Sequence, residues 1–165
     1  MNKRMKKILK IPLLWCLLFC INAALSAQKT RRSMLFNDDW KFYKGDATNA
    51  ERPSFDDAGW REVDLPHDWS IEGPFEERWA SATAYLPAGI GWYRKTFELG
   101  KDLRSKNIFL YFDGVYKNSE VWINGHYLGK RPNGFISFQY EICFQFHSKI
   151  PHGLIKGMLS FVGIL

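Results

Sequence analysis

Asn124-Gly125 separates Glu120-Val121-Trp122-Ile123 from His126-Tyr127-Leu128. Asn and Gly supply the positive φ angles of a type I′ turn, whose twist matches that of two paired strands, so the segment is predicted to be a hairpin. The same grammar runs through the body. Ile136, Phe138, Tyr140 and Ile142 alternate with Ser137, Gln139 and Glu141, the period of two that marks a half-buried strand. Tyr93, Phe97 and Leu99 share a face opposite Arg94, Thr96 and Glu98, although Lys95 interrupts the apolar side. Ile108 to Phe112 is apolar on both faces, as expected of a strand between two packed layers. Helical periodicity is weak, and short strands at this spacing predict an all-β sandwich. No internal repeat or low-complexity linker divides the chain.

With 165 residues, 46% of them hydrophobic, the chain has the size of one domain and can bury a sizeable core. The formal charge of +6 is misleading. Lys3, Arg4, Lys6, Lys7 and Lys10 all precede the first acidic residue, and without them the balance is close to neutral. No long-range field for nucleic acid survives, so nucleic-acid binding is not expected. The abundant aromatics and modest charge also exclude a disordered chain.

Residues 1–27 read as a secretory signal. A basic stretch to Lys7 precedes the uncharged run Ile11 to Ile21, and Ala23, Ala24, Ser26 and Ala27 follow; cleavage after Ser26 or after Ala27 fits this pattern. The uncharged run is shorter than the roughly 20 residues of a spanning helix, which disfavours an uncleaved anchor. Phe19 stands where lipid modification of Cys20 would require a small residue. The expected destination is the periplasm or the exterior. Export removes Cys16 and Cys20 and leaves Cys143 alone, so no intrachain disulfide forms and packing must supply the stability.

The candidate sites each have a structural reading beside the functional one. Trp40, Trp60, Trp69, Trp79, Trp92 and Trp122 can fill a core or offer indole faces to sugars. Core is expected for most, with Trp69 and Trp79, in the least strand-like stretch, the better platforms. His67-Asp68 resembles half of a catalytic pair, but no nucleophile motif accompanies it, so a histidine packed against a loop is expected. Cys143, His147 and His152 fall short of the four ligands of a structural zinc site, and no metal is expected. Gly89-Ile90-Gly91 lacks the third glycine and the helix of a dinucleotide loop. Asp64, Asp68, Glu72, Glu76 and Glu77 include no two whose spacing makes them converge as glycoside hydrolysis requires.

Several longer motifs occur in order. They are Phe36-Asn37-Asp38-Asp39-Trp40-Lys41-Phe42, the segment from Trp60 to Phe75 containing Leu65-Pro66-His67-Asp68-Trp69, Gly91-Trp92-Tyr93-Arg94-Lys95-Thr96-Phe97, Phe112-Asp113-Gly114-Val115, and Val121 to Gly129. This set resembles the N-terminal sugar-binding domain of family 2 glycoside hydrolases, the β-galactosidase group, over residues 35–142. The resemblance implies a jelly-roll, galactose-binding-like β-sandwich. In that family the sandwich precedes an immunoglobulin-like domain and a TIM barrel, and the barrel carries both catalytic glutamates of a retaining mechanism. It therefore implies no catalytic residue and no cofactor here, and a chain inactive by itself. Family members also lend polar loop residues to the active site. Where one asparagine is expected, Leu86-Pro87-Ala88-Gly89-Ile90 has no polar side chain. Asn133, with Arg131 beside it, falls near the position of an aspartate, which makes these two the candidate substrate contacts. The alternative for Asn133 is a left-handed turn residue beside Gly134.

After Ile142 the family pattern would give a polar turn, a loop and a last valine-rich strand. Residues 143–165 contain no Asp or Glu and end in Met158-Leu159-Ser160-Phe161-Val162-Gly163-Ile164-Leu165. They read as an aberrant apolar tail, from a frameshift or premature stop, which would leave the sandwich incomplete at its C-terminal strand and open at an edge. Rival readings are a genuine amphipathic tail or a C-terminal membrane segment, for which the run is too short. The expected function is that of the non-catalytic N-terminal domain of an exported β-galactosidase-type hydrolase of O-glycosyl bonds. It would shape the rim of a barrel active site, with the downstream domains as partners and carbohydrate bound only weakly. The alternatives are a stand-alone carbohydrate-binding module and an inactive pseudogene fragment.

Overall fold

The computed structural model describes residues 31–103, 106–142 and 155–164. The chain divides into two units, Met1–Phe36 and Asn37–Leu165. In the first, the described residues 31–36 form no helix or strand. The proposed signal segment, Cys143, His147 and His152 lie outside the described residues.

The second unit is built from strands β1 (Trp40–Lys44), β2 (Arg61–Val63), β3 (Ile90–Leu99), β4 (Phe109–Phe112), β5 (Ser119–Ile123), β6 (His126–Arg131), β7 (Phe138–Glu141) and β8 (Ile155–Ile164). Among the described residues the only helices are short 3-10 turns, including Trp69–Glu72. Six strands form one sheet in the order β2-β1-β3-β8-β5-β6, and β4 pairs with β7 in a second. Every pairing is antiparallel. The all-β sandwich is borne out.

The hairpin forms as its sequence dictates. Ile123 pairs with His126, and Asn124 and Gly125 hold φ angles of 50° and 80°. The alternation in β3 points Tyr93, Phe97 and Leu99 into the core, where Trp40, Phe42, Val121, Ile123 and Phe161 are also buried. Tyr93 stacks on Phe161 at 4.6 Å, and Phe161 meets Phe112 of the second sheet edge-on. Lys95 is accommodated on this apolar side because its ammonium reaches the Asp38 carbonyl and lies 6.0 Å from the Trp40 ring centre, its stem packing while its charge escapes.

Four expectations are corrected. First, residues 155–164, expected to leave the position of the C-terminal strand vacant, form β8 there. It pairs with β3 from Ile90↔Ile164 to Leu99↔Ile155 and with β5 from Glu120↔Val162 to Ile123↔Leu159. A central strand with partners on both sides can read as an apolar run without alternation, and this is why the pattern concealed it. Second, β4 is not covered on both faces: Phe109 and Tyr111 are exposed. Third, Arg94 on the polar side of β3 is 2% exposed. The loop 46–60 folds over that side, and Arg94 bonds Asp57 at 2.8 Å and the carbonyls of Ala50, Arg52 and Phe55. Fourth, Trp69 is not a platform but one of the most buried side chains, 2% exposed.

Candidate functional site

The register places several loops at one end of the large sheet. Gly91 of β3 faces Gly163 of β8, and Ser119 of β5 faces Arg131 of β6. The segments 84–89, 113–118 and 132–137 all leave from this end, and β1 turns there into the loop 46–60. Missing side chains let the segments interlock. A Cβ on Gly134 would lie 2.7 Å from Tyr116 Cα, one on Gly163 2.9 Å from the Tyr116 carbonyl, and one on Gly73 2.5 Å from Pro87. Asn118 N–H donates to the Pro132 carbonyl at 3.1 Å.

Both candidate substrate contacts belong to this rim and are exposed. The Arg131 guanidinium lies 5.6 Å and 5.9 Å from the ring centres of Phe138 and Tyr140. Asn133 accepts from Phe135 N–H at 2.8 Å through its side-chain oxygen. It is a turn residue, but its φ is not left-handed. The side chain closes an Asx turn instead, leaving its amide N–H₂ as the group it can offer outward. The stretch 86–90 enters the same rim without a polar side chain.

Behind the rim, His67 joins a polar network rather than a catalytic pair with Asp68. Its Nδ1 lies 2.8 Å from the Tyr93 hydroxyl, and its Nε2 lies 3.0 Å from Glu72 Oε1 and 2.9 Å from the Arg61 guanidinium. Arg61 also donates to Glu72 at 2.8 Å. Burial works against the Glu72 carboxylate, but the hydrogen bonds and charges of Arg61 and His67 prevail and hold its pKa below the usual value. Burial, then the neighbouring carboxylates of Asp68 and Glu72, push the Tyr93 phenol above its ordinary value. Asp68 caps the turn Trp69–Glu72, accepting from Ser70 N–H at 3.0 Å. Of the other loop carboxylates, Asp64 accepts from Asp39 N–H and Glu76 pairs with Arg78. These acids are engaged separately, which fits the absence of a converging pair in the sequence.

A cleft of about 410 Å³ opens beside the rim, on the side of the sheet that loop 46–60 covers. Trp92 and Trp122 form its indole wall, stacked at 5.4 Å. They stand on β3 and β5, so their rings meet over β8. Asp46, Asn49, Glu51, Asn118, Glu120 and Lys130 supply polar groups. Nothing in the sequence marks these residues as neighbours; only the tryptophans stood out, and of these Trp122 is half-buried. Among the described residues no three His, Cys, Asp or Glu side chains group as a metal site.

Comparison with known proteins follows the same outline. The chain is 49% identical over 125 residues to the β-galactosidase BoGH2A of Bacteroides ovatus, covering 74% of this chain and 14% of that protein. It is 42% identical over 130 residues to a putative β-glucuronidase of Formosa agariphila, covering 77% and 13%. Among solved structures it resembles a β-glycosidase from Bacteroides vulgatus with a TM-score of 0.69 and 43% identity, over 80% of this chain and 17% of that one. The chain thus spans about one seventh of the length of the curated relatives it matches. Residues 40–150 match the family described as glycosyl hydrolase 2 galactose-binding domain-like, eight residues beyond the limit at 142 expected from the motifs. By sequence, by structural similarity and by that match, this chain belongs to the galactose-binding-like N-terminal domains of glycoside hydrolase family 2.

Proposed function

We propose that the chain is the non-catalytic N-terminal domain of an exported β-galactosidase-type glycoside hydrolase, and that its loop rim borders an active site whose reacting carboxylates lie outside residues 1–165. One observation carries this reading: the segments 84–89 and 132–137, the second containing Asn133, leave the same end of the sheet. Asp68, Glu72 and Glu76 are engaged in a local cap or ion pair, which supports a positioning rather than a reacting role. Asn133 and Arg131 are the residues that would touch sugar. Export rests on the basic and apolar segments before Ala27.

The test pairs the purified chain with a copy of the Bacteroides ovatus β-galactosidase lacking its corresponding domain. The expected result is no hydrolysis of nitrophenyl β-galactoside or β-glucuronide by the chain alone, and recovered galactosidase activity on mixing. Turnover by the chain itself, abolished by altering one of its own acids, would overturn the reading. Export is checked by fractionating cells that express the full sequence; a product confined to the cytoplasm with its first residues intact excludes it.

A further inference from the structure

We propose that Asn133-Gly134 is a self-modifying site at which the Asn133 amide is lost and a carboxylate takes its place, while the second Asn-Gly pair of the chain, Asn124-Gly125, is held unreactive by its hairpin. In such a pair the glycine amide nitrogen gives its proton to hydroxide and attacks the asparagine side-chain carbon Cγ. The N–Cγ bond forms, the Cγ–Nδ2 bond breaks, and ammonia leaves with a proton from solvent, giving a cyclic succinimide. Water then opens the ring at either carbonyl, to aspartate or to isoaspartate, whose backbone runs through the side chain. Water and hydroxide are the only reagents, and nothing is oxidised or reduced.

Three observations separate the two pairs. The first is a side-chain turn. Asn133 Oδ1 accepts from Phe135 N–H at 2.8 Å, and the ring that this hydrogen bond closes contains both Cγ and the Gly134 nitrogen, the atoms a succinimide joins. The same N–H faces the oxygen on which negative charge gathers during the attack, an arrangement that stabilises an oxyanion. The second is access. Asn133 is exposed, whereas Asn124 is half-buried. Among the described residues nothing accepts from Gly134 N–H, so the nucleophile has no such bond to give up. The third is the backbone. Asn124 and Gly125 hold φ angles of 50° and 80° between the paired Ile123 and His126. Ring closure turns the asparagine ψ far from its type I′ value, so Asn124 reacts only once the end of the hairpin opens. Asn133 lies between β6 and β7, in a segment that no strand pairing holds.

The fold also demands the reactive glycine, since a Cβ on Gly134 would lie 2.7 Å from Tyr116 Cα. Reaction places a new carboxylate two residues from Arg131 and replaces the donor that Asn133 offers with an acceptor-only group. Isoaspartate further lengthens the path to Phe135, whose ring meets Tyr116 edge-on at 5.4 Å.

The experiment incubates the full chain at mildly alkaline pH, native and in parallel unfolded in guanidinium, and reads tryptic peptides by mass spectrometry. Cleavage after Lys130 puts the two pairs in different peptides. In the native chain Asn133 is expected to convert to aspartate and isoaspartate at a rate proportional to hydroxide. Asn124 should be at least about tenfold slower, a factor that requires only about 1.4 kcal/mol of hairpin opening. In guanidinium the two rates should converge. Asn133→Gln, whose longer side chain closes its ring far more slowly, should leave that peptide unchanged. Equal native rates, faster conversion of Asn124, or no conversion of Asn133 overturns the proposal. So does a native ratio that persists in guanidinium, because sequence and not fold would then set it. The readout is the chemistry of this chain alone and is independent of whether mixing restores hydrolysis in a relative.

Discussion

Trp69 occupies the space that a side chain on Gly91 would need: a Cβ there would lie 2.8 Å from the indole nitrogen and 3.1 Å from Phe42 Cε2. Trp69 also carries the Lys44 ammonium at 4.5 Å from its ring centre. The buried indole thus ties the turn Trp69–Glu72 to the start of β3. Gly91→Ala forces the indole or Phe42 to move, and overpacking of this kind costs about 1–3 kcal/mol. Urea denaturation of the variant is expected to show that loss with an unchanged slope, and a variant as stable as the parent would show that the indole has room to retreat.

Arg94 is a buried charged side chain bonded to Asp57 and to three loop carbonyls. Replacing it with Met strands Asp57 and the loop carbonyls it serves. Removing one partner of a buried pair costs about 3–5 kcal/mol. Limited proteolysis of Arg94→Met should cut first within residues 46–60, and Asp57→Asn, which keeps a hydrogen-bond acceptor, should be milder in both assays.

The His67 network predicts a pH dependence at each end of the scale. The Glu72 pKa is lowered in the folded protein. Its contribution is therefore present above the unfolded value of about 4.3 and lost as pH falls through the folded value. Glu72 is partly exposed, so solvent screens the effect and the loss is small. The Tyr93 pKa is raised. Its contribution is complete below the unfolded value of about 10 and disappears as pH rises beyond it. Melting curves against pH should lose the acid slope in Glu72→Gln and the alkaline slope in Tyr93→Phe; slopes identical to the parent's would show that other groups set them.

Strand β8 determines whether the sheet exists as a whole, because β3 and β5 meet only through it. Phe161 stacks on Tyr93 and lies 5.2 Å from the Trp40 ring centre. Phe161→Ala is expected to cost about 3–5 kcal/mol. A chain ending before residue 155 should collect in the insoluble fraction, since it exposes two long unpaired edges. Equal soluble yield with and without residues 155–164 would refute the central position of β8.

The local instructions were legible wherever a short segment suffices to carry them. Asn124-Gly125 specifies its own turn through backbone sterics, and the alternation around Tyr93 and Phe138 specifies which face is buried, because side chains on a strand alternate by geometry alone. The ordered motifs from Phe36 to Gly129 carried the family, and the match over residues 40–150 agrees with them. Tertiary structure decided the rest. Arg94 has the sequence signature of a solvent-facing residue, and only the return of loop 46–60 buries it. Residues 155–164 show no alternation in the sequence, and only the pairing with β3 and β5 reveals their position as a strand. The cleft draws Asp46 together with Asn118 and Lys130 at the β5–β6 hairpin, more than 70 residues away in the chain. Burial and proximity of this kind arise from chain-long packing, and no window of sequence contains the neighbours that create them.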